Sequence, residues 1–202
     1  MRVYAETNFL VEVALAQEEA AICQEIVSLC EAGSVELIFP AFSMPEAYHA
    51  LVGKQREREK FSGELDAQLK KFRRSATFEA MPEFEAVQRY LVRNAQEESD
   101  RFQKSSNWII ANAKLIPLTL PVLELAREWQ SRSGLELPDS VVLTSVISDL
   151  QESHDSDSCF VTRDQDLTSD PEIRDKLRSL RCEIKPTFAA GLSYIRARSA
   201  ST

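Results

Sequence analysis

Five short apolar runs, at 3–5, 35–39, 115–118, 159–162 and 182–184, set the tightest limit on what this chain can fold into. Each has the length of a strand, and the segments between them carry helical spacing. Strands that alternate with helices point to a parallel sheet, because each crossover must return the chain to the same end. The expected class is α/β: a three-layer fold with a central parallel five-stranded sheet flanked by helices. In such open sheets the binding crevice forms beyond the carboxyl ends of the strands. The residues that follow each run are therefore the ones to inspect.

Acids stand at those positions. Glu6 follows the first run and precedes the helical pattern of Phe9, Leu10, Val13 and Leu15. Glu46 follows the second run, three residues after Ser43. Asp139 follows Pro138 and opens a strongly apolar helix, Val141 to Leu150. Asp164 and Asp166 follow the fourth run and Arg163. Each acid has a local explanation: Glu6 favours the positive end of its helix, Ser43 and Glu46 match a capping box, Asp139 suits an N-cap, and aspartate suits a turn. Together they permit another reading. Four acids converging on one crevice repel strongly unless a cation sits among them. A set of hard oxygen ligands without His or Cys favours magnesium or manganese.

The spacing predicts one helix from Glu12 to Ala32, ended by Gly33, and another from Pro121 to Ser133, ended by Gly134. Further helices are expected at Pro171 to Leu180 and from Phe188 to about Arg198. The run 115–118 reads as an edge strand because Pro117 lacks a ladder donor. The loop 151–158 and the tail 199–202 read as polar and loosely held. From about 54 to 105 the composition turns charged and helical, with Gly63 and Pro82 as punctuation. This is read as a helical excursion of two or three helices within a single domain, 1–202. Its basic cluster, Lys70, Lys71, Arg73 and Arg74, suits either a solvated helix face or contacts to a phosphate backbone.

A chain of 202 residues with 44% hydrophobic and 28% charged residues can bury a core without staples. The four cysteines and two histidines lack zinc-ligand spacings. A net charge of −8 argues against a surface that coats nucleic acid, but not against a nuclease with a local basic patch. There is no apolar run long enough for a membrane span and no basic-then-apolar leader pattern, so a cytoplasmic protein without a membrane partner is expected.

Four blocks of the chain resemble the PIN-domain nucleases: Val3-Tyr4-Ala5-Glu6-Thr7-Asn8-Phe9-Leu10, Phe39-Pro40 through Glu46, Leu135 through Ser145 with Pro138-Asp139, and Phe160-Val161-Thr162-Arg163-Asp164-Gln165-Asp166. The last block is the most specific. The resemblance implies a PIN-like fold of strand order 3-2-1-4-5, with Glu6, Glu46, Asp139 and Asp164 as the catalytic acids. Of these, Glu6, Asp139 and Asp164 are implied as the ligands of Mg2+ or Mn2+. Asn8 and Thr162 are implied to help orient the site, with Asp166 acting nearby. The first acid of the family is normally aspartate, and Glu6 is one methylene longer.

The expected activity is metal-dependent hydrolysis of RNA phosphodiester bonds. The resemblance suggests the toxin of a bacterial type II toxin–antitoxin pair, related to the VapC-like ribonucleases. Its partners would be an RNA substrate and an antitoxin protein, and a homodimer is open to it. The competing expectation is a catalytically silent PIN-like scaffold that binds RNA or a protein. A phosphatase with an aspartyl nucleophile is disfavoured because the first strand lacks paired aspartates.

Overall fold

A computed structural model describes residues 1–72, 74, 82–153 and 157–199. Arg73 of the basic cluster, His154 with the centre of the polar loop, and the tail beyond 199 lie outside the described residues. The chain runs β1 (Arg2–Tyr4), α1 (Thr7–Leu15), α2 (Ala20–Glu31), β2 (Glu36–Pro40), α3 (Ser43–Phe72), α4 (Pro82–Asn112), β3 (Lys114–Ile116), α5 (Leu120–Ser133), α6 (Leu137–Glu152), β4 (Ser158–Val161), α7 (Gln165–Ser169), α8 (Pro171–Ser179), β5 (Cys182–Lys185) and α9 (Phe188–Ser199).

The described strands form one sheet in the order β3-β2-β1-β4-β5. Every pairing is parallel: Val3 stands opposite Leu37 and Cys159, Phe39 opposite Leu115, and Cys159 opposite Glu183. β3 lies at the edge, as Pro117 suggests. Side chains alternate across the pleat. Val3, Leu37 and Cys159 pack with Phe9, Leu10, Ile26, Phe188 and Ile195 of α1, α2 and α9 on one face. Tyr4, Ile38 and Phe160 pack with Trp129, Leu143, Ile147, Ile173 and Leu177 of α5, α6 and α8 on the other. These are the three layers. α6 buries Val141, Val142, Leu143, Val146, Ile147 and Leu150. At about 1.5–3 kcal/mol for each such side chain, it gives Asp139, in its first turn, a rigid base.

Two expectations change. The stretch from Glu12 to Ala32 is two helices. Ala16 adopts φ 51°, the left-handed conformation that ends α1, and the Glu19 amide donates to Glu12 Oε1 at 2.6 Å to close the turn. No glycine or proline marks that break. Gly63 does not punctuate the excursion either: α3 runs through it for 30 residues, about 45 Å.

The excursion is a hairpin of α3 and α4. Its seam is polar. Gln55 Nε2 donates to the Ala95 carbonyl at 3.0 Å and to Ser99 Oγ at 3.2 Å. Arg58 grips Glu98 with both terminal nitrogens, and Asn94 Nδ2 donates to the same carboxylate at 3.1 Å. Paired donors of this kind fix the register of the two helices. At the base of the hairpin, Ala47, Leu51 and Ile109 are buried, so α3 and α4 are anchored against the sheet layers where Glu46 begins.

Candidate active site

β1 ends at Tyr4, and Glu6 takes an extended backbone, φ −138° and ψ −165°, as the N-cap of α1. Its Oε2 accepts from the Asn8 amide at 2.8 Å. Its Oε1 accepts from the Thr162 hydroxyl, just past β4, at 2.9 Å. The residue is 4% exposed. Burial pushes its carboxyl up to about 7, against the pull of those hydrogen bonds, and the nearby Asp164 adds to the rise.

Thr162 joins two sides of the site. While its hydroxyl donates to Glu6, its oxygen accepts from the Asp164 amide at 3.0 Å. Asp164 in turn caps α7: Oδ1 accepts from the amides of Asp166 and Leu167 at 2.7 and 3.2 Å. Asn8 contributes to Glu6 through its backbone amide, and Asp166 contributes to Asp164 in the same way.

Glu46 lies in the first turn of α3. The expected capping box with Ser43 does not form. The Ser43 hydroxyl is buried without a hydrogen-bond partner, and Glu46 Oε2 accepts instead from the Thr7 hydroxyl. Burial raises the Glu46 carboxyl, the Thr7 bond opposes this, and Asp164 raises it further.

Asp139 is not the N-cap of α6; Glu136 holds that position, and Asp139 sits in the first turn. Its carboxyl is pushed up to about 7, first by burial, then by Asp164, Glu46, Glu136 and Asp166. No donor among the described residues reaches it.

The structure thus brings all four sequence-predicted acids to the carboxyl edge of the sheet, beside the β1–β4 junction where the strand order reverses. Asp164 is the common neighbour: its charge raises Glu6, Glu46 and Asp139 alike. Among the described residues, no three acids, histidines or cysteines are spaced as ligands of one ion. The donor set is all oxygen, as a hard divalent cation requires.

The basic cluster lies elsewhere. Lys70 and Lys71 occupy the last turn of α3, about 36 Å along the helix axis from Glu46. Lys70 pairs with Asp66 at 2.6 Å, and Arg74 is exposed.

Sequence reasoning did not single out Thr7, Glu12 or the side chain of Arg163. The helix-facing spacing of Glu12, four residues after Asn8, was the available signal. At the opposite edge of the sheet Asp149 accepts from Arg2 at 2.6 Å, Lys114 at 2.5 Å and Tyr4 at 2.9 Å. That acid is neutralised by its own cations and fixes α6 to β1 and β3.

Among the described residues, no helix is long and apolar enough to cross a membrane. No curated protein matches the chain significantly. A family model described as PIN domain matches residues 3–167, a span that includes Glu6, Glu46, Asp139 and Asp164.

Proposed function

Because the chain belongs to the PIN-domain family, we propose that it is a metal-dependent endoribonuclease that hydrolyses RNA phosphodiester bonds, acting as the toxin of a type II toxin–antitoxin pair. The observation that carries this reading is Asp139: a half-buried carboxylate with no donor among the described residues, raised by burial and by four further acids. A carboxylate left in that state is stabilised by a cation or a proton.

In this reading Glu6, Asp139 and Asp164 hold Mg2+ or Mn2+, with Glu46 close by. A bound ion supplies positive charge to the phosphate and lowers the pKa of a water, so that no histidine base is needed. The protein's part is placement. Thr162 holds Glu6 Oε1 while its own oxygen accepts from the Asp164 amide. The α7 amides occupy Asp164 Oδ1 and leave Oδ2 for an ion. Thr7 holds one oxygen of Glu46 and leaves the other. Glu6 and Asp139 are raised to about 7, so they titrate near neutral pH, and loading an ion there would release protons and tighten as pH rises.

The test is cleavage of RNA with magnesium and with manganese by the wild type, Asp139→Asn and Asp164→Asn. Both variants are nearly isosteric, and each is expected to lose cleavage by at least about 100-fold while melting no lower than the wild type. Cleavage at the wild-type rate removes that residue from the ligand set. A second reading, the silent scaffold that binds RNA or a protein, is favoured by one observation: both Glu6 oxygens already accept hydrogen bonds from the protein. Absence of cleavage by the wild type with either ion, together with retained RNA binding, selects it.

A further inference from the structure

We propose that Arg163 is a positioning residue of the carboxylate centre, acting through Glu12 to hold the β4–α7 loop against α1. The proposal deepens the nuclease reading and rests on it for its effect on rate. Arg163 stands between two residues that build the centre: Thr162, which bridges Glu6 and the Asp164 amide, and Asp164 itself. Its own side chain departs toward α1, where Nη1 donates to Glu12 Oε2 at 2.7 Å. Glu12 is 1% exposed, and its other oxygen accepts from the Glu19 amide at 2.6 Å. That carboxylate is therefore held from both ends. Nη2 lies 3.5 Å from Glu18, an exposed partner that adds little.

Glu12 belongs to α1, and the residue that caps α1 is Glu6. The loop carrying Asp164 is consequently tied to the helix carrying Glu6 at two points, the Thr162 bridge and the Arg163–Glu12 pair. One tie would act as a pivot. Two fix both the separation and the orientation of the carboxylates. A guanidinium beside such a centre also suits a phosphate, but a phosphate that drew Arg163 away would leave Glu12 buried and uncompensated, which is strongly unfavourable.

The experiment compares Arg163→Met, Glu12→Gln, the double variant, Arg163→Lys and a control, Arg196→Met, which removes only an exposed pair with Glu25. Two readouts are taken: steady-state cleavage of RNA, and amide hydrogen exchange. Arg163→Met and Glu12→Gln are expected to lower kcat roughly 10- to 100-fold, the scale of an ångström-level misplacement, with KM little changed. The double variant should be no worse than the poorer single, because the pair acts as a unit, and Arg163→Lys should recover part of the loss. In both single variants the amides of Asp164, Asp166 and Leu167 should exchange faster while those of β1 and β4 stay protected. Unchanged exchange at those three amides overturns the clamp whatever the activity. A rise in KM confined to Arg163→Met, with Glu12→Gln silent, also overturns it and makes Arg163 a substrate contact. Faster exchange in both variants of a protein whose wild type does not cleave upholds the clamp and removes the nuclease reading.

Discussion

Burial takes the Glu6 carboxyl from its ordinary 4.5 to about 7, and the sign of the consequence can be worked out. The folded state holds the proton more tightly than the unfolded chain does. Stability is therefore greatest below the unfolded value and falls as pH rises toward 7, by about 3 kcal/mol for a fully buried group. Asp139 moves in the same direction, also to about 7, but its partial exposure makes its share smaller. The ion-free protein is expected to melt at a higher temperature at pH 5 than at pH 8, and Glu6→Gln to flatten that dependence. Calorimetry in the presence of a chelator checks it; a melting temperature that rises over the same range sinks the idea. Manganese added at pH 8 should restore stability, since a ligand that binds only the folded state stabilises by mass action.

The element that constrains the sheet from behind is α9, and its contact with β4 depends on one missing methyl group. A Cβ on Gly191 would lie 2.2 Å from Val161 Cγ1 and 3.3 Å from Val161 Cβ. Val161 is fully buried in a strand and cannot swing away. Gly191→Ala is expected to destabilise the protein by about 1–3 kcal/mol through overpacking. Val161→Ala should recover part of that in the double variant, because it removes the atom in closest conflict. Urea unfolding of the cycle measures it, and strict additivity would show that α9 shifts freely. Such a tight approach was not legible in the sequence, where Gly191 is only a glycine inside a helix. The five strands were legible to within two residues, because apolar runs and turn residues are local signals. The break after α1 was not, because Ala16 takes a left-handed backbone without being a glycine, and the turn is closed by a side chain, Glu12, that accepts from the Glu19 amide. The Ser43–Glu46 pattern misled for a related reason: Thr7, from a different strand–helix unit, takes the Glu46 carboxylate that the local pattern assigned to a cap. The placement of the four acids could be read because Glu6, Glu46 and Asp164 come after strands and Asp139 opens a helix. The contacts that tie them to other segments could not, because they join residues distant in sequence, 39 apart for Thr7 with Glu46 and 156 for Thr162 with Glu6.

At the scale of the molecule, the proposed nuclease reading requires a chain of net charge −8 with an acidic centre to draw its RNA by a local feature, and α3 is suited to that. It begins beside the centre with Glu46 in its first turn and ends with Lys70 and Lys71 in its last. The separation of about 36 Å along the axis matches about ten nucleotides at the ~3.4 Å spacing of stacked residues along one strand. The pair of Lys70 with Asp66 is exposed, so it is weak and does not withhold the lysine from a phosphate. A substrate of about twenty nucleotides spans that distance, whereas one of about five does not. Lys70→Gln with Lys71→Gln is therefore expected to raise KM for the longer RNA several-fold, with kcat unchanged, because backbone contacts give affinity without acting on the reacting phosphate. Two lost phosphate contacts should also reduce the slope of log affinity against log salt by about 1.4, at roughly 0.7 for each single-strand contact. The short substrate should be cut by variant and wild type alike. Steady-state kinetics on both lengths across a salt series make the comparison. An equal effect at both lengths would mean that the lysines act on overall charge rather than along a track, and no effect at either would leave the end of α3 outside the path of the RNA.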